Sequence, residues 1–523
     1  MNASQGDVRA LTFPELVIGI AGPIGVDLDQ IASSLEKALV DVAYTSELIK
    51  LTAEMERFPI SDEDELDELK RWAGPDTFNT YMRKMSQANA LRKENTDPAI
   101  LARIAIDAIQ LRRQMHTGAA DKVRSKHAYV VRQLKRPEEV ALLRKVYGRQ
   151  FILVSAYAPE TLRREKLCER LKRELSTTAT PSEIAFQADQ LIERDASEDG
   201  EALGQQLRDT FHLADVFIDG LNKQEMDRKI ARFICAFFGR NDITPSKDEY
   251  GMYAAKSAAL RSADLSRQVG AALFSSDGEL VTQGCNEVPK AFGGTYWDLE
   301  DPDHRDITRG HDPNEFHKRE ILREVIERLR SSSFLSPELL MLGSDSNIVE
   351  ALIAKPTDEK PAGALRSARI NDLTEYGRVV HAEMLAICDA ARIGRSVKGT
   401  TLYCTTFPCH NCTKHVLASG VRRVVFMEPY PKSRAKDLHP DEIEIEAESE
   451  TKVGFVPFMG ISPFRYRDIF QKGRRKRDDG KSNDWLKGEP VPMIDFVLPS
   501  YTYSEAWALA ELLGGLVEKQ PGE

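Results

Sequence analysis

The sequence lacks any stretch approaching about 18 consecutive apolar residues, which excludes a transmembrane helix. Its longest early apolar run, Leu16 to Val26, is interrupted by Gly19, Gly22, Pro23 and Gly25. No basic segment precedes that run, so it does not read as a secretory leader. Basic residues are in the minority: Lys and Arg total 72 against 82 Asp and Glu, for a formal net charge of −10. Neutralising a polynucleotide backbone needs net positive surface, so this balance favours a small anion in a local pocket over a long strand. Cysteine is scarce and its number, 7, is odd, which argues against a disulfide framework. Together these absences predict a cytoplasmic protein with no membrane partner.

What is present is ordinary globular material. The chain has 523 residues, 41% hydrophobic and 29% charged, enough to bury a core without a metal or disulfide staple. The run Leu16-Val-Ile-Gly-Ile-Ala-Gly22 reads as a buried parallel strand entering a tight turn. Leu28, Ile31, Leu35 and Leu39 follow at helical spacing. Strand, glycine turn and helix together resemble the opening of a phosphate-binding βαβ unit. Further strand-like runs at 128–131, 151–154 and 214–218 alternate with helical stretches, predicting a P-loop-like, doubly wound α/β domain over residues 1–240. Gly22 and Gly25 are its candidate nucleotide-binding residues. A working loop of the G-x-x-x-x-G-K-[ST] kind also needs its Lys and hydroxyl. With Gly25 as the second glycine, Val26 and Asp27 stand in those places. Phosphoryl transfer is therefore not expected, while a sensor and a purely structural domain both stay open.

The helix expected over 223–238 carries Met226, Ile230, Phe233, Ile234 and Phe237 on one face and is read as a bridge between domains. A second α/β pattern fills 241–523: a helix at 250–260, a hairpin at 269–282, an insertion at about 297–372 that holds a helix at 322–329 and looks irregular from about 343, then helix, strand and helix at 381–391, 400–405 and 409–419.

Four of the cysteines, Cys388, Cys404, Cys409 and Cys412, are close in sequence. His381-Ala382-Glu383 and Pro408-Cys409-His410-Asn411-Cys412 form the pattern H-x-E then P-C-x-x-C. One imidazole and two thiolates supply three ligands, whereas zinc prefers four, so one position stays open. Glu383, two residues after His381, can approach that position without being a ligand. This is the donor set for hydrolytic deamination of a cytosine or adenine ring. A purely structural zinc site would need a fourth ligand, for which Cys404, Cys388, His410 or His415 are available. Cys404 is expected to face its strand's core and Cys388 the inner face of its helix.

Those two motifs resemble the zinc-dependent cytidine and deoxycytidylate deaminases. Arg261-Ser262, Ser266 to Ala271 and Gly284-Cys285-Asn286-Glu287-Val288-Pro289 extend the resemblance. Most of the chain is similar to the bacterial anti-phage dCTP deaminases, which carry an N-terminal P-loop-like domain. The resemblance implies a cytidine deaminase-like α/β/α domain with an insertion, with His381, Cys409 and Cys412 on Zn2+ and Glu383 catalytic. It implies that Asn286 holds the deoxyribose and that free deoxycytidine nucleotides, dCTP or dCMP, are the substrates. It further implies assembly of the chain with itself and control by a small RNA or a phage-derived trigger during infection.

Substrate phosphates need partners outside the zinc motif. Arg261, Arg267, Lys432 and Arg434 are candidates by charge, and Tyr296 is a candidate to stack on the pyrimidine. Arg474 to Arg477 forms a basic run followed at once by two aspartates, which fits either a solvated loop or an RNA contact. Two rival functions remain: a polynucleotide cytidine deaminase, which needs a basic aromatic channel, and a nucleotide kinase or sensor regulated by its zinc domain.

Overall fold

The computed structural model describes residues 11–174, 180–196, 204–355, 362–482, 485, 490–494 and 499–517. The chain divides into two compact units, Met1–Glu249 with Phe458–Glu523, and Tyr250–Pro457. Both are mixed α/β.

The first unit is built on a six-stranded sheet. β1 (Leu16–Ala21), β2 (Thr45–Lys50), β3 (His127–Arg132), β4 (Phe151–Tyr157) and β5 (Val216–Asp219) are parallel, in the order β5-β4-β1-β3-β2. All six residues of β1 are buried, as expected of a central strand covered on both faces. The helix Leu28–Val40 follows the glycine turn and buries Leu28, Ile31, Leu35 and Leu39. Asp27 caps it, its carboxylate accepting from the Asp29 and Gln30 amides at 3.1 Å each. That stabilises the helix start by about 1 kcal/mol.

Two expectations are corrected here. The helix Lys223–Phe237 does not bridge domains. It buries the anticipated apolar face within the first unit, against the helix Leu28–Val40. The assignment of everything after residue 241 to one domain also differs from the structure. Gly460–Ile461 pairs antiparallel with β5 in the first unit's sheet, and Arg465 donates to Asp215 at 3.1 Å. In the helix Tyr501–Val517, Glu505 pairs with Arg113 at 2.7 Å, and Arg113 pairs with Glu15 at 2.9 Å. These three side chains are almost fully buried, so losing one partner would cost about 3–5 kcal/mol. A two-residue strand has no periodicity, and an ion pair between residues 113 and 505 has no sequence signal. The segment 176–182, with Pro181, reads in the sequence as a loop; its residues up to 179 lie outside the described residues, and a helix, Pro181–Ala196, begins within it.

The second unit has its own six-stranded sheet. β6 (Gly270–Phe274), β7 (Leu280–Cys285), β8 (Thr401–Thr406), β9 (Arg423–Glu428), β10 (Ile443–Ile445) and β11 (Val453–Pro457) lie in the order β10-β11-β9-β8-β6-β7. β6 is antiparallel to both β7 and β8, and the rest of the sheet is parallel. The helix Ala382–Arg392 packs on β6 and β7. It can do so because β7 presents Gly284, where a Cβ would run into the Ala382 carbonyl oxygen. Between β7 and that helix, the helix expected at 322–329 is present and longer, as Pro313–Ser331, and Asp345–Ile353 forms a second one in the stretch read as irregular; the two pack around a small apolar cluster that includes Leu322, Ile326, Ile348 and Val349.

Candidate active site

Two helix starts face each other at the carboxyl end of β8. His381 is the N-cap residue of the helix Ala382–Arg392, and Cys409 is the N-cap residue of the helix His410–Ser419. Cys412 lies in the first turn of the latter. Cys409 Sγ is 3.4 Å and Cys412 Sγ 3.5 Å from His381 Nδ1. The three ligand atoms lie within 4.8 Å of one another, the only such group of three or more metal-type donors among the described residues. One imidazole and two thiols at this separation fit zinc by donor type and number.

The local electrostatics fit as well. A hydrogen bond from Cys412 and the neighbouring His381 pull the Cys409 thiol down to about 4, against the opposing effect of burial. Its position at a helix N-terminus acts in the same direction. The Cys409 thiolate in turn holds His381 up to about 9, and pushes the Cys412 thiol upward. Glu383, 4% exposed, is raised above the usual carboxylate range, chiefly by burial and then by the Cys409 thiolate.

His381, Glu383 and Cys409 line a cavity of about 390 Å³, within the range of small-molecule sites. Asn286 also lines it, but its amide is committed to protein partners. Its Oδ1 accepts from the Ala382 N–H at 3.0 Å and its Nδ2 donates to Asp264 at 2.9 Å. It thereby fixes the start of the helix that carries Glu383. Arg267 and Lys432 reach the cavity, paired with Glu428 at 2.9 Å and Asp372 at 2.6 Å.

Arg261 and Tyr296 are not among the residues that line this cavity. Arg261 stacks 3.8 Å over the Trp297 ring and bonds Thr295. Tyr296 packs edge-on against His304. Arg434 pairs with Asp437 on an exposed surface. Cys404 is buried as expected, whereas Cys388 is exposed and does not face its helix's inner side. Gly22 and Gly25 lie in the first unit and line a separate cavity there. Arg474 belongs to the first unit and pairs with Asp478.

Sequence reasoning missed the contribution of the insertion. Lys318, 6% exposed, donates to the Asn371 carbonyl at 3.1 Å and pairs with Glu315. Arg378 pairs with Asp306. Both line the cavity, together with Asn314 and Asp372. A signal was available: Asn314, Lys318, Leu322 and Ile326 recur at intervals of four and form the buried stripe of one helix. A lysine within such a stripe calls for a polar destination.

Residues 245–428 match the family model for the cytidine and deoxycytidylate deaminase zinc-binding region. The matched stretch lies almost wholly within the second unit and holds His381, Glu383, Cys409 and Cys412. The chain is 44% identical over 90 residues to the deoxycytidylate deaminase of Enterobacteria phage T4, a match covering 17% of this chain and 44% of that protein. It is 39% identical over 90 residues to the deoxycytidylate deaminase of Mus musculus, covering 17% of this chain and 46% of that protein. The chain thus spans less than half the length of these relatives. The solved dCMP deaminase of cyanophage S-TIM5 in apo form is 15% identical, covers 41% of this chain and 100% of its own, and gives a TM-score of 0.21. At that score the fold assignment rests on the sheet topology described above.

Proposed function

We propose that the second unit is a zinc-dependent hydrolase that deaminates free deoxycytidine nucleotides, dCTP or dCMP, to their uracil forms and ammonia. The observation that carries this reading is the three-donor cluster with buried Glu383 beside it, His381, Cys409 and Glu383 lining a 390 Å³ cavity. His381, Cys409 and Cys412 would hold the zinc, which when bound supplies Lewis-acid activation of a water nucleophile. The Glu383 carboxylate takes a proton from that water and delivers it to the pyrimidine ring nitrogen. It would then take the second proton from the hydroxyl added at the ring carbon and carry it to the amine, which departs as ammonia and leaves a carbonyl. Burial raises its affinity for the proton it must hold between these steps. Asn286 keeps the helix carrying Glu383 in register with the sugar end of the cavity. Arg267, Lys318, Arg378 and Lys432 supply positive charge for the substrate phosphates.

In this reading the first unit is a P-loop-like regulatory module. The resemblance adds a cytoplasmic role in depleting deoxycytidine nucleotides during phage infection, self-assembly, and control by a small RNA or phage-derived trigger. Those elements rest on the resemblance alone.

The test is product analysis after incubating the full chain, zinc-loaded, with dCMP, dCTP and a cytosine-containing single strand. Uracil nucleotides and ammonia from the free nucleotides are expected. Uracil appearing only in the strand would instead establish a polynucleotide deaminase.

A further inference from the structure

A second cavity, of about 160 Å³, opens in the first unit beside the turn after β1, and the deaminase chemistry has no use for it. The turn already holds an anion. The Asp195 carboxylate is 2% exposed. One of its oxygens accepts from the Ile24 N–H at 2.7 Å, and the other accepts from the Lys135 ammonium at 2.7 Å. Lys135, itself 8% exposed, also donates to the Gly22 carbonyl at 2.7 Å. A turn amide and a buried ammonium thus converge on one anionic group, the donor pair that grips a phosphate oxygen. The ammonium arrives from the segment after β3, so the spacing of the glycine loop gives no sign of it.

The turn's backbone suits close approach. Gly25 has φ +96°, and a Cβ there would sit 3.0 Å from Arg163. The remaining charges in the cavity do not balance. Asp27 keeps its negative charge while capping its helix, and Asp29 pairs with Arg132, so Lys84 and Arg170 together leave one positive charge in excess. Arg170 bonds only the neutral Tyr81 hydroxyl among the described residues, and Lys84 has no ion-pair partner among them. Lys84 and Arg170 both line the cavity.

We propose that the glycine turn is a phosphate site gated by the protein's own carboxylate. Asp195 holds the place of a ligand's phosphate group, and an incoming phosphate displaces it to take Ile24 N–H and Lys135, with Lys84 and Arg170 meeting its remaining charge. The cavity is smaller than the several hundred Å³ of a typical small-molecule site, so it accommodates the phosphorylated end of a ligand. Inorganic polyphosphate and a nucleotide share that chemistry.

The experiment is calorimetric titration of the full chain with inorganic tripolyphosphate and, separately, with ATP. Differences between variants carry the reading, because the second unit's cavity also offers cations. Asp195→Asn removes the internal competitor and is expected to tighten tripolyphosphate binding at least about tenfold. Adding Lys135→Met to Asp195→Asn leaves no uncompensated buried charge and is expected to abolish that gain. Tighter binding of ATP than of tripolyphosphate would assign a nucleotide; equal binding would assign the phosphate chain alone. No gain in a folded Asp195→Asn, or a gain that survives loss of Lys135, overturns the proposal. Should Asp195→Asn fail to fold, Lys84→Met in the wild-type background decides. Tripolyphosphate binding weakened at least about threefold supports the site, and unchanged binding overturns it.

Discussion

The two units each bring donors together at a helix or turn start, yet they differ in what fills the space between. In the second unit His381, Cys409 and Cys412 face one another without a carboxylate among them, and the cavity opens onto Glu383. In the first, the turn amide of Ile24 and the Lys135 ammonium close on Asp195. The zinc-type donors sit at fixed short spacings on two helix starts, so the sequence pattern and the spatial cluster coincide. The groups at the glycine turn, two donors and the carboxylate that accepts from both, come from three separate segments, and the sequence pattern there is that of a defective loop. A motif read by spacing therefore finds sites assembled locally and overlooks sites completed from elsewhere in the chain.

The sharpest way to break this comparison is to remove a donor from the open site. Cys409→Ala should abolish zinc binding and turnover and lower the melting temperature of the second unit, because metal binding is coupled to folding. Metal content and a thermal melt check this; a variant that keeps stoichiometric zinc would displace Cys409 from the ligand set.

The next effect is on pH. Zinc takes neutral imidazole and thiolate, whereas metal-free His381 is held protonated up to about 9. Below that pH the metal must displace this proton and the one kept by the raised Cys412 thiol, so zinc affinity should fall at least about tenfold per pH unit from 8 to 6. Competition against a chromogenic chelator measures it. A flat profile would mean that zinc displaces no proton from these residues, which would contradict their assignment as its ligands.

A smaller effect is expected at the wall supplied by the insertion. Lys318→Met should raise KM for a deoxycytidine nucleotide about tenfold, equivalent to about 1.4 kcal/mol, with kcat little changed. An unchanged KM would place the phosphates elsewhere in the cavity. The smallest effect lies in the first unit. Asp27→Ala removes a helix cap, should cost about 1 kcal/mol, and should leave nucleotide deamination untouched.

Much of this architecture was legible in the sequence. β1 was visible because an all-buried parallel strand is an unbroken apolar run. The helices at Leu28 and Lys223 were visible from their periodicity. The candidate zinc ligands and Glu383 were visible because the H-x-E and P-C-x-x-C spacings place them at two helix starts. β2 was not, since Thr45–Lys50 has one buried residue and no clean alternation. The return of Gly460–Ile461 and Tyr501–Val517 to the first unit was hidden because it depends on pairings across hundreds of residues. Arg261 and Tyr296 carried the right chemistry for a substrate site, but their partners, Trp297 and His304, draw them into the neighbouring loop. Lys135 and Asp195 gave no signal, because each is unremarkable until the fold buries them together.

The central claim is that Glu383 moves the proton at a zinc site it does not help to build. Zinc content and deamination of dCMP and dCTP, measured on the same preparations of the wild-type chain and Glu383→Gln, test it most directly. Full zinc occupancy in both, with turnover at least about a hundredfold lower in the variant, is the predicted result. Loss of zinc from Glu383→Gln, or turnover that persists in it, would contradict the account.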